Sequence, residues 1–209
     1  MKPKDQIRRA LQNFVEPRLL RLGFTFSTSS LSFVRKVGEF RQQITTHLDK
    51  WNREDVSAEF YFSFSIRSNK YVKWHSAEFG TRPANDSLSS EMYWNLRGWK
   101  HPRPNIVDEK RAESEMLLLL EDTLDFGLPF LDKYSDWENA AVRLVGARWF
   151  HAKACDFCII VGNRKKAHWC LEKALEAWRL NPNRSFYRGE KEEIKFRFER
   201  FFSEYPPIP

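Results

Sequence analysis

The sequence predicts an α+β fold, in which an antiparallel sheet of about four strands packs on helices and an all-helical part follows. In residues 59–67 every second side chain is apolar, namely Phe60, Phe62, Phe64 and Ile66. Successive side chains of a strand point to opposite faces, so this stretch predicts a central strand with one buried and one polar face. Short turns join the neighbouring strand-like runs, which is typical of an antiparallel meander. From about residue 108 onward, apolar residues recur at helical spacing.

The chain opens on a predicted helix over residues 4–22. Its apolar residues fall at helical spacing: Ile7, Leu11, Phe14, Val15 and Leu19. Pro17 argues against one straight helix, because an interior proline lacks the N–H that the helix requires. We therefore expect a bend or a second short turn near Pro17, and the end of the helix at Gly23.

Strands are predicted over residues 24–27, 32–37, 40–49 and 56–67. In the third strand one face carries Phe40, Gln42, Ile44, Thr46 and Leu48, and the other carries Arg41, Gln43, Thr45, His47 and Asp49. Residues 68–106 show no long periodic run. Residues 90–96 predict a short helix or strand, and the prolines at 102 and 104 predict an extended segment.

Further helices are predicted at about residues 108–125, 148–161, 164–180 and 184–202. Gly127 and Pro129 end the first of them, and Ser135 or Asp136 caps another helix. The change from strand to helix pattern predicts two domains: an α+β sheet domain over residues 1–135 and a helical C-terminal region over residues 136–209.

Composition and charge limit the classes of protein. The chain has 42% hydrophobic and 15% aromatic residues, which is typical of a folded protein and not of a disordered chain, and its net charge is +7. The positive charge concentrates in residues 1–50 and 141–209, whereas residues 111–140 are acidic. Basic segments attract an acidic protein or a nucleic acid, although solvated helix faces explain the same charges. Three cysteines, no secretion signal and no long apolar run predict a cytoplasmic protein without a membrane segment.

Several short motifs resemble an uncharacterised bacterial family catalogued as a domain of unknown function. The motifs are Leu22-Gly23-Phe24, Ser32-Phe33-Val34-Arg35, the strands over residues 40–49 and 60–66, Trp94-Asn95-Leu96, and the run from Gly127 to Ser135. The resemblance covers about residues 5–146 and includes no catalytic signature. It implies a role as a bacterial immunity or accessory protein.

A second resemblance covers about residues 148–182, which look like a single tetratricopeptide hairpin. The small and packing positions of the 34-residue repeat coincide with Ala154, Gly162, Ala167, Leu171, Ala174 and Pro182. Each repeat buries one face on a neighbour, and no clear second repeat follows. The resemblance implies a hairpin that docks on another part of the chain and a role in protein binding.

The predicted helix over about residues 148–161 carries a cluster of potential metal ligands. His151, Cys155 and Cys158 fall on one helix face, and His168 and Cys170 lie on the next helix. Buried free cysteines also pack as small apolar residues, and a Cys-x-x-Cys pair can act in redox chemistry. Core packing is the favoured interpretation, with metal and redox roles as alternatives.

The polar face of the predicted sheet is the first candidate binding site. It carries Arg41, Gln43, His47, Glu59, Tyr61 and Arg67. A histidine, a glutamate and a tyrosine can support acid–base chemistry if they converge. A solvated sheet with cross-strand charge pairs explains the same residues, so solvated surface, binding face and catalytic site all stay open.

Two segments interleave basic and aromatic residues and form the second candidate. We expect both to be loops, with Lys73 and Trp74 in one and Trp99 and Arg103 in the other. Aromatic stacking beside cations is how proteins hold single-stranded nucleic acid. Packing of both tryptophans at the edge of the fold is the alternative.

No phosphate-binding loop, dinucleotide fingerprint or nucleophile elbow occurs in the sequence. We therefore expect no cofactor and a non-catalytic protein–protein interaction module, such as an immunity or accessory protein that masks a partner. A basic nucleic-acid-binding protein is the first alternative. An enzyme with a site on the polar sheet face is the second.

Overall fold

The computed structural model describes residues 1–98, 103–107, 109–148, 150–181 and 189–205. Contacts divide the chain into two compact units, residues 1–69 with 85–135 and residues 70–84 with 136–209. The first unit contains the sheet and the second is helical, so the predicted α+β class is confirmed. Residues 70–84 group with the helical unit, a placement that no sequence pattern predicted. The helices, numbered in chain order, are α1 (Pro3–Ala10), α2 (Glu16–Arg21), α3 (Asn69–Phe79), α4 (Tyr93–Arg97), α5 (Glu109–Asp122), α6 (Leu128–Tyr134), α7 (Trp137–Gly146), α8 (His151–Ile160), α9 (Arg164–Leu180) and α10 (Glu190–Phe202).

The sheet has five antiparallel strands within the described residues, where about four were predicted. Their order follows the chain: β1 (Thr25–Ser27), β2 (Ser32–Val37), β3 (Phe40–Leu48), β4 (Phe60–Arg67) and β5 (Ser87–Met92). The sequence did not clearly indicate β5, because its serine-rich composition has no strand preference of its own. Backbone pairing with β4 forms it, for example between Ser65 and Ser90.

The N-terminal helix is interrupted, and the interruption has a cause in the sequence. A π-helical turn over Leu11–Val15 separates α1 from α2, so the helix predicted over residues 4–22 is divided by the interruption that was expected near Pro17. Pro17 lies at the start of α2 and has no N–H to donate to the preceding turn. The wider turn accommodates this missing bond and keeps Ile7, Leu11 and Leu19 buried.

The buried face of the sheet forms the core of the first unit. The alternate side chains of β4, namely Phe60, Phe62, Phe64 and Ile66, are at most 1% exposed, as the alternation predicted. A second π-helical turn, Thr123–Gly127, packs against this face, and a Cβ added to Gly127 would lie 2.3 Å from a ring carbon of Phe64. Glycine therefore allows the helix to approach the strand closely.

One polar residue, Gln42, is fully buried on this face and is hydrogen-bonded. Its Oε1 accepts from Nε of Arg35 at 2.6 Å, and its Nε2 donates to Asp132 at 3.1 Å and to Ser135 at 2.8 Å. Arg35 also pairs with Asp132. Because a buried amide is costly unless it is bonded, this network fixes α6 against β2 and β3.

Helix α8 forms the centre of the second unit and packs against α7, α9 and α10. Its aspartate, Asp156, is fully buried and accepts two hydrogen bonds from Arg197 of α10, at 2.7 and 2.8 Å. Helices α8 and α9 form the predicted hairpin, but its tetratricopeptide character stays a prediction, and Pro182 lies outside the described residues. None of the described helices is both long and apolar enough to cross a membrane.

Residues 69–79, for which the sequence predicted no regular element, form helix α3. Tyr71 is its buried anchor and packs edge-on against Phe157. A single helix was predicted over residues 108–125. In the structure, helix α5 ends at Asp122 and the second π-helical turn follows it as far as Gly127. Asp136 caps α7 by accepting from the N–H of Asn139 at 2.8 Å, as one of the two predicted caps.

Candidate functional site

The face of the sheet opposite the core is polar across neighbouring strands, and we call it the polar face. Register pairs Arg41 with Arg67, Gln43 with Ser65, Thr45 with Ser63 and His47 with Tyr61. These pairs place the side chains predicted for this face on the same side of β3 and β4. These side chains are exposed or partly exposed, whereas the alternate positions other than Leu48 are buried, which agrees with that placement.

A shallow cleft of about 620 Å³ runs along the polar face. Most of its lining groups are hydroxyls and amides, which both donate and accept hydrogen bonds: Gln43, Thr45, Ser63, Ser65, Asn85, Ser87 and Ser90. Arg67 lines one end and His47 the other. The cleft is of the size that holds a small molecule, and its lining suits a polar one.

The His47 end of the polar face carries an aromatic cluster of His47, Tyr61 and Trp94. The ring of His47 stacks on Tyr61 with centroids 5.0 Å apart, and Trp94 meets Tyr61 edge-on at 4.9 Å. Nε2 of His47 lies 2.7 Å from Oγ of Ser63. Burial lowers the pKa of His47 below its usual value, so its ring is neutral at pH 7.

The lowered pKa of His47 predicts a pH dependence of stability. The unfolded chain binds a proton at His47 more readily than the folded chain, so stability should fall as the pH drops below about 6.5. In His47→Gln this part of the slope should disappear. Thermal melts between about pH 7.5 and pH 5 measure it. Ser63→Ala is the control, because it keeps the imidazole and should keep the slope; equal slopes in wild type and His47→Gln would contradict the prediction.

The loop between β3 and β4, residues 49–59, presents two apolar side chains to solvent, and we call it the Trp51 loop. Trp51 is 70% exposed and Val56 is 67% exposed. Asn52 bonds both backbone groups of Glu59 at 2.7 Å, and the carboxylate of Asp49 accepts from the N–H of Trp51 at 2.7 Å. These bonds hold the loop in one conformation although its apolar side chains are exposed.

The base of the Trp51 loop is held by the segment around Asn105. The amide of Asn105 accepts from the N–H of Ala58 at 3.0 Å, and the carbonyl of Pro104 accepts from Phe60. Arg103 pairs with Asp49, whose side chain is only 6% exposed, and lies over the ring of Tyr61. The predicted site residue Arg103 therefore supports the loop and the aromatic cluster.

The opposite end of the polar face carries three cations on adjacent strands, which we call the cationic row: Lys36, Arg41 and Arg67. Lys36 lies directly opposite Arg41, and Arg41 directly opposite Arg67. Arg67 pairs with Asp86 at 3.6 Å. Within the described residues neither Lys36 nor Arg41 forms an ion pair, and both are exposed. Like charges in facing positions repel, so the row costs the sheet stability.

The structure does not assemble the acid–base trio of the polar face. His47 and Tyr61 meet, but in the described part of the chain no hydrogen bond joins the carboxylate of Glu59 to either ring. The His47–Ser63 pair has no carboxylate bonded to the imidazole among the described contacts. Within the described contacts, the pair therefore lacks the carboxylate that orients the histidine base in serine proteases.

The aromatic–basic segments are arranged differently from the prediction. Lys73 and Trp74 lie on helix α3 and not in a loop. Trp74 packs against Phe79 at 5.5 Å and Phe201 at 6.2 Å, which is the packing alternative. Trp99 lies outside the described residues.

The histidines and cysteines of the second unit do not form a metal site in the part of the chain that is described. His151 contacts Glu190 at 3.3 Å, and His168 contacts Glu204 at 2.8 Å. Cys155 and Cys158 are buried in α8, and burial raises the pKa of the Cys155 thiol. These contacts agree with the core-packing interpretation of the sequence.

Comparisons with known proteins identified no relative of this chain. No protein-family model matches the chain, and no curated protein or solved structure matches it significantly. The resemblance to a bacterial family therefore stays a prediction that these comparisons do not support.

Sequence reasoning missed two parts of the site. Trp51 and Val56 stand among polar residues and follow no period, so only their isolation could have suggested exposure. Lys36 was not singled out, because its position opposite Arg41 depends on the register of the β2–β3 pair. That register follows from the tight turn at Gly38, whose φ of +57° favours glycine.

Proposed function

We propose that this protein is a non-catalytic protein-binding module that docks through the Trp51 loop. The exposed indole of Trp51 on an internally bonded loop is the observation that carries the proposal. Tryptophan is enriched among the residues that contribute most to protein interfaces, because it buries a large area with few rotatable bonds. A loop held in one conformation loses little entropy on binding.

The expected partner is a protein with an apolar pocket that admits an indole ring. The ring of Trp51 lies under Nζ of Lys50 at 4.9 Å, so the partner should also offer a carboxylate beside the pocket. Binding would mask the partner by occupying its surface. Among the described residues no carboxylate bonds to the imidazole of His47, and no hydrogen bond joins Glu59 to it, which favours this role over the enzyme alternative.

The substitution Trp51→Ala tests the proposal. Loss of a central tryptophan typically costs at least 2 kcal/mol, so affinity should fall by about 30-fold. Stability should change by no more than about 0.5 kcal/mol, since the side chain is exposed. Leu180→Ala is the matched control, because Leu180 is an 81% exposed apolar residue of the second unit.

The measurement is quantitative co-purification of wild type and both variants from the native cells, at low and moderately high salt. A stoichiometric protein that is recovered with wild type and Leu180→Ala, survives the salt and is lost with Trp51→Ala supports the proposal. Equal recovery with Trp51→Ala would exclude the loop as the docking site. Nucleic acid that is released by salt would favour the nucleic-acid alternative instead.

A further inference from the structure

We propose that the cationic row and the adjoining cleft bind a small phosphorylated, hydroxyl-rich molecule, with its phosphate at the row. This site lies at the opposite end of β3 and β4 from the Trp51 loop and is independent of the protein-binding proposal. The proposal depends on three features of the first unit: the repulsion within the row, the donors beside it, and the size of the cleft.

The mutual repulsion of the three cations in the row favours the binding of an anion. Neighbouring strands are about 5 Å apart, so the three cationic side chains start within about 10 Å of each other. Only Arg67 has an acidic partner among the described residues, Asp86, at a distance of 3.6 Å. A phosphate between Arg41 and Arg67 would replace repulsion with charge-assisted hydrogen bonds, and arginine suits phosphate because its donors are arranged as a planar fork.

Neutral donors continue from the row along the face. Gln43 and Ser65 form the next cross-strand pair after Arg41 and Arg67, and Thr45 and Ser63 form the pair after that. The cleft that contains these four side chains has a volume of about 620 Å³. Hydroxyl and amide groups at this density match the hydroxyls of a sugar or polyol, and offer little to an apolar ligand.

The charges favour a small ligand over a nucleic acid. The cations that β2, β3 and β4 place on the polar face lie at one end, whereas Arg103 at the other end is paired with Asp49. Glu91 also lines the cleft. A strand of nucleic acid that followed the cleft would bring several phosphates near that carboxylate and near the neutral His47. One phosphate group at the row avoids both.

The test uses the full chain, with ribose 5-phosphate and inorganic phosphate as probes and ribose as the unphosphorylated control. Isothermal titration and shifts of backbone amide signals measure binding. We expect ribose 5-phosphate to bind, phosphate to bind more weakly, and ribose not to bind at the same concentration. Shifts should concentrate on β3 and β4. Equal binding of ribose would overturn the proposal.

Variants separate the site from general attraction of anions. Arg41→Gln should lower the affinity for ribose 5-phosphate by at least about tenfold, which is the expected effect of losing one charged hydrogen bond. Arg18→Gln removes an exposed cation of α2 that belongs to neither the cationic row nor the cleft lining, and should leave binding unchanged. Without ligand, Arg41→Gln should melt no lower than wild type, because it relieves repulsion.

Three further results would also overturn the proposal. Equal affinity of Arg41→Gln and wild type would show that the row is not the phosphate site. A lower melting temperature of ligand-free Arg41→Gln would show that Arg41 acts in stability. A single-stranded oligonucleotide that binds more tightly than ribose 5-phosphate and depends on Arg41 would assign the row to nucleic acid.

Discussion

Replacing Arg197 with methionine should lower the unfolding free energy of the second unit by about 3–5 kcal/mol. The guanidinium is 6% exposed and donates two hydrogen bonds to Asp156, whose side chain is fully buried. Without Arg197, the carboxylate would remain in an apolar interior without its counter-ion. Urea unfolding followed by circular dichroism measures the loss, and hydrogen exchange of α8 and α10 assigns it to this unit.

The double substitution Asp156→Leu with Arg197→Met should recover most of the lost stability. Apolar side chains of similar volume avoid the desolvation of both charges, so replacing a buried pair is often neutral. Burial raises the pKa of Asp156, while Arg197 opposes that rise, so the single variant should lose less stability at acidic pH. Lys195→Met is the control, since Lys195 is more than half exposed and lies 4.0 Å from Glu199. A single variant as stable as wild type would contradict this account.

Gly127→Ala should destabilise the first unit by about 1–3 kcal/mol. The new Cβ would lie 2.3 and 2.5 Å from two carbons of the Phe64 ring. That ring is 1% exposed and packed in the core, so it cannot turn away without displacing its neighbours. The intrinsic preference of alanine for helix would offset only part of this cost. Urea unfolding measures the change.

Gly146→Ala is the matched control for this substitution. Gly146 also lies in a helix, but no atom of the described residues lies within 4 Å of its added Cβ. Its replacement should therefore be neutral or stabilise by about 0.4–1 kcal/mol through the unfolded chain. Adding Phe64→Leu to Gly127→Ala should restore part of the loss through the space it opens. If both glycine variants behaved alike, close contact with Phe64 would not explain Gly127.

The sequence predicted those helices and strands in which apolar residues recur at the spacing of that element. The alternation of β4 identified its buried face because the period of a strand depends on backbone geometry alone. The same reasoning correctly placed Arg41 and His47 on the polar face. Strand β5 was predicted only as a short helix or strand, because its formation depends on pairing with β4 and its serines have no preference of their own.

The π-helical turns and the candidate site could not be predicted from the periodicity of the sequence alone. Pro17 indicated an interruption, but whether the chain bends or forms a wider turn depends on packing around Leu11 and Leu19. The exposure of Trp51 follows from the hydrogen bonds of Asn52 and Asp49, which connect residues across a loop. Fold class could therefore be predicted from the sequence, whereas the proposed binding residues could be identified only from their three-dimensional neighbours.

The two edges of the sheet limit how another chain can attach to it. Strand β1 has three residues, and four of the six residues of β5 are serine or glutamate. Short and polar edge strands resist the addition of a further strand, which is the route to sheet-to-sheet aggregation. A partner is therefore expected to recognise the protein through side chains and not by extending its backbone ladder. An unstructured peptide that binds only by adding a strand to a sheet edge should bind this protein weakly.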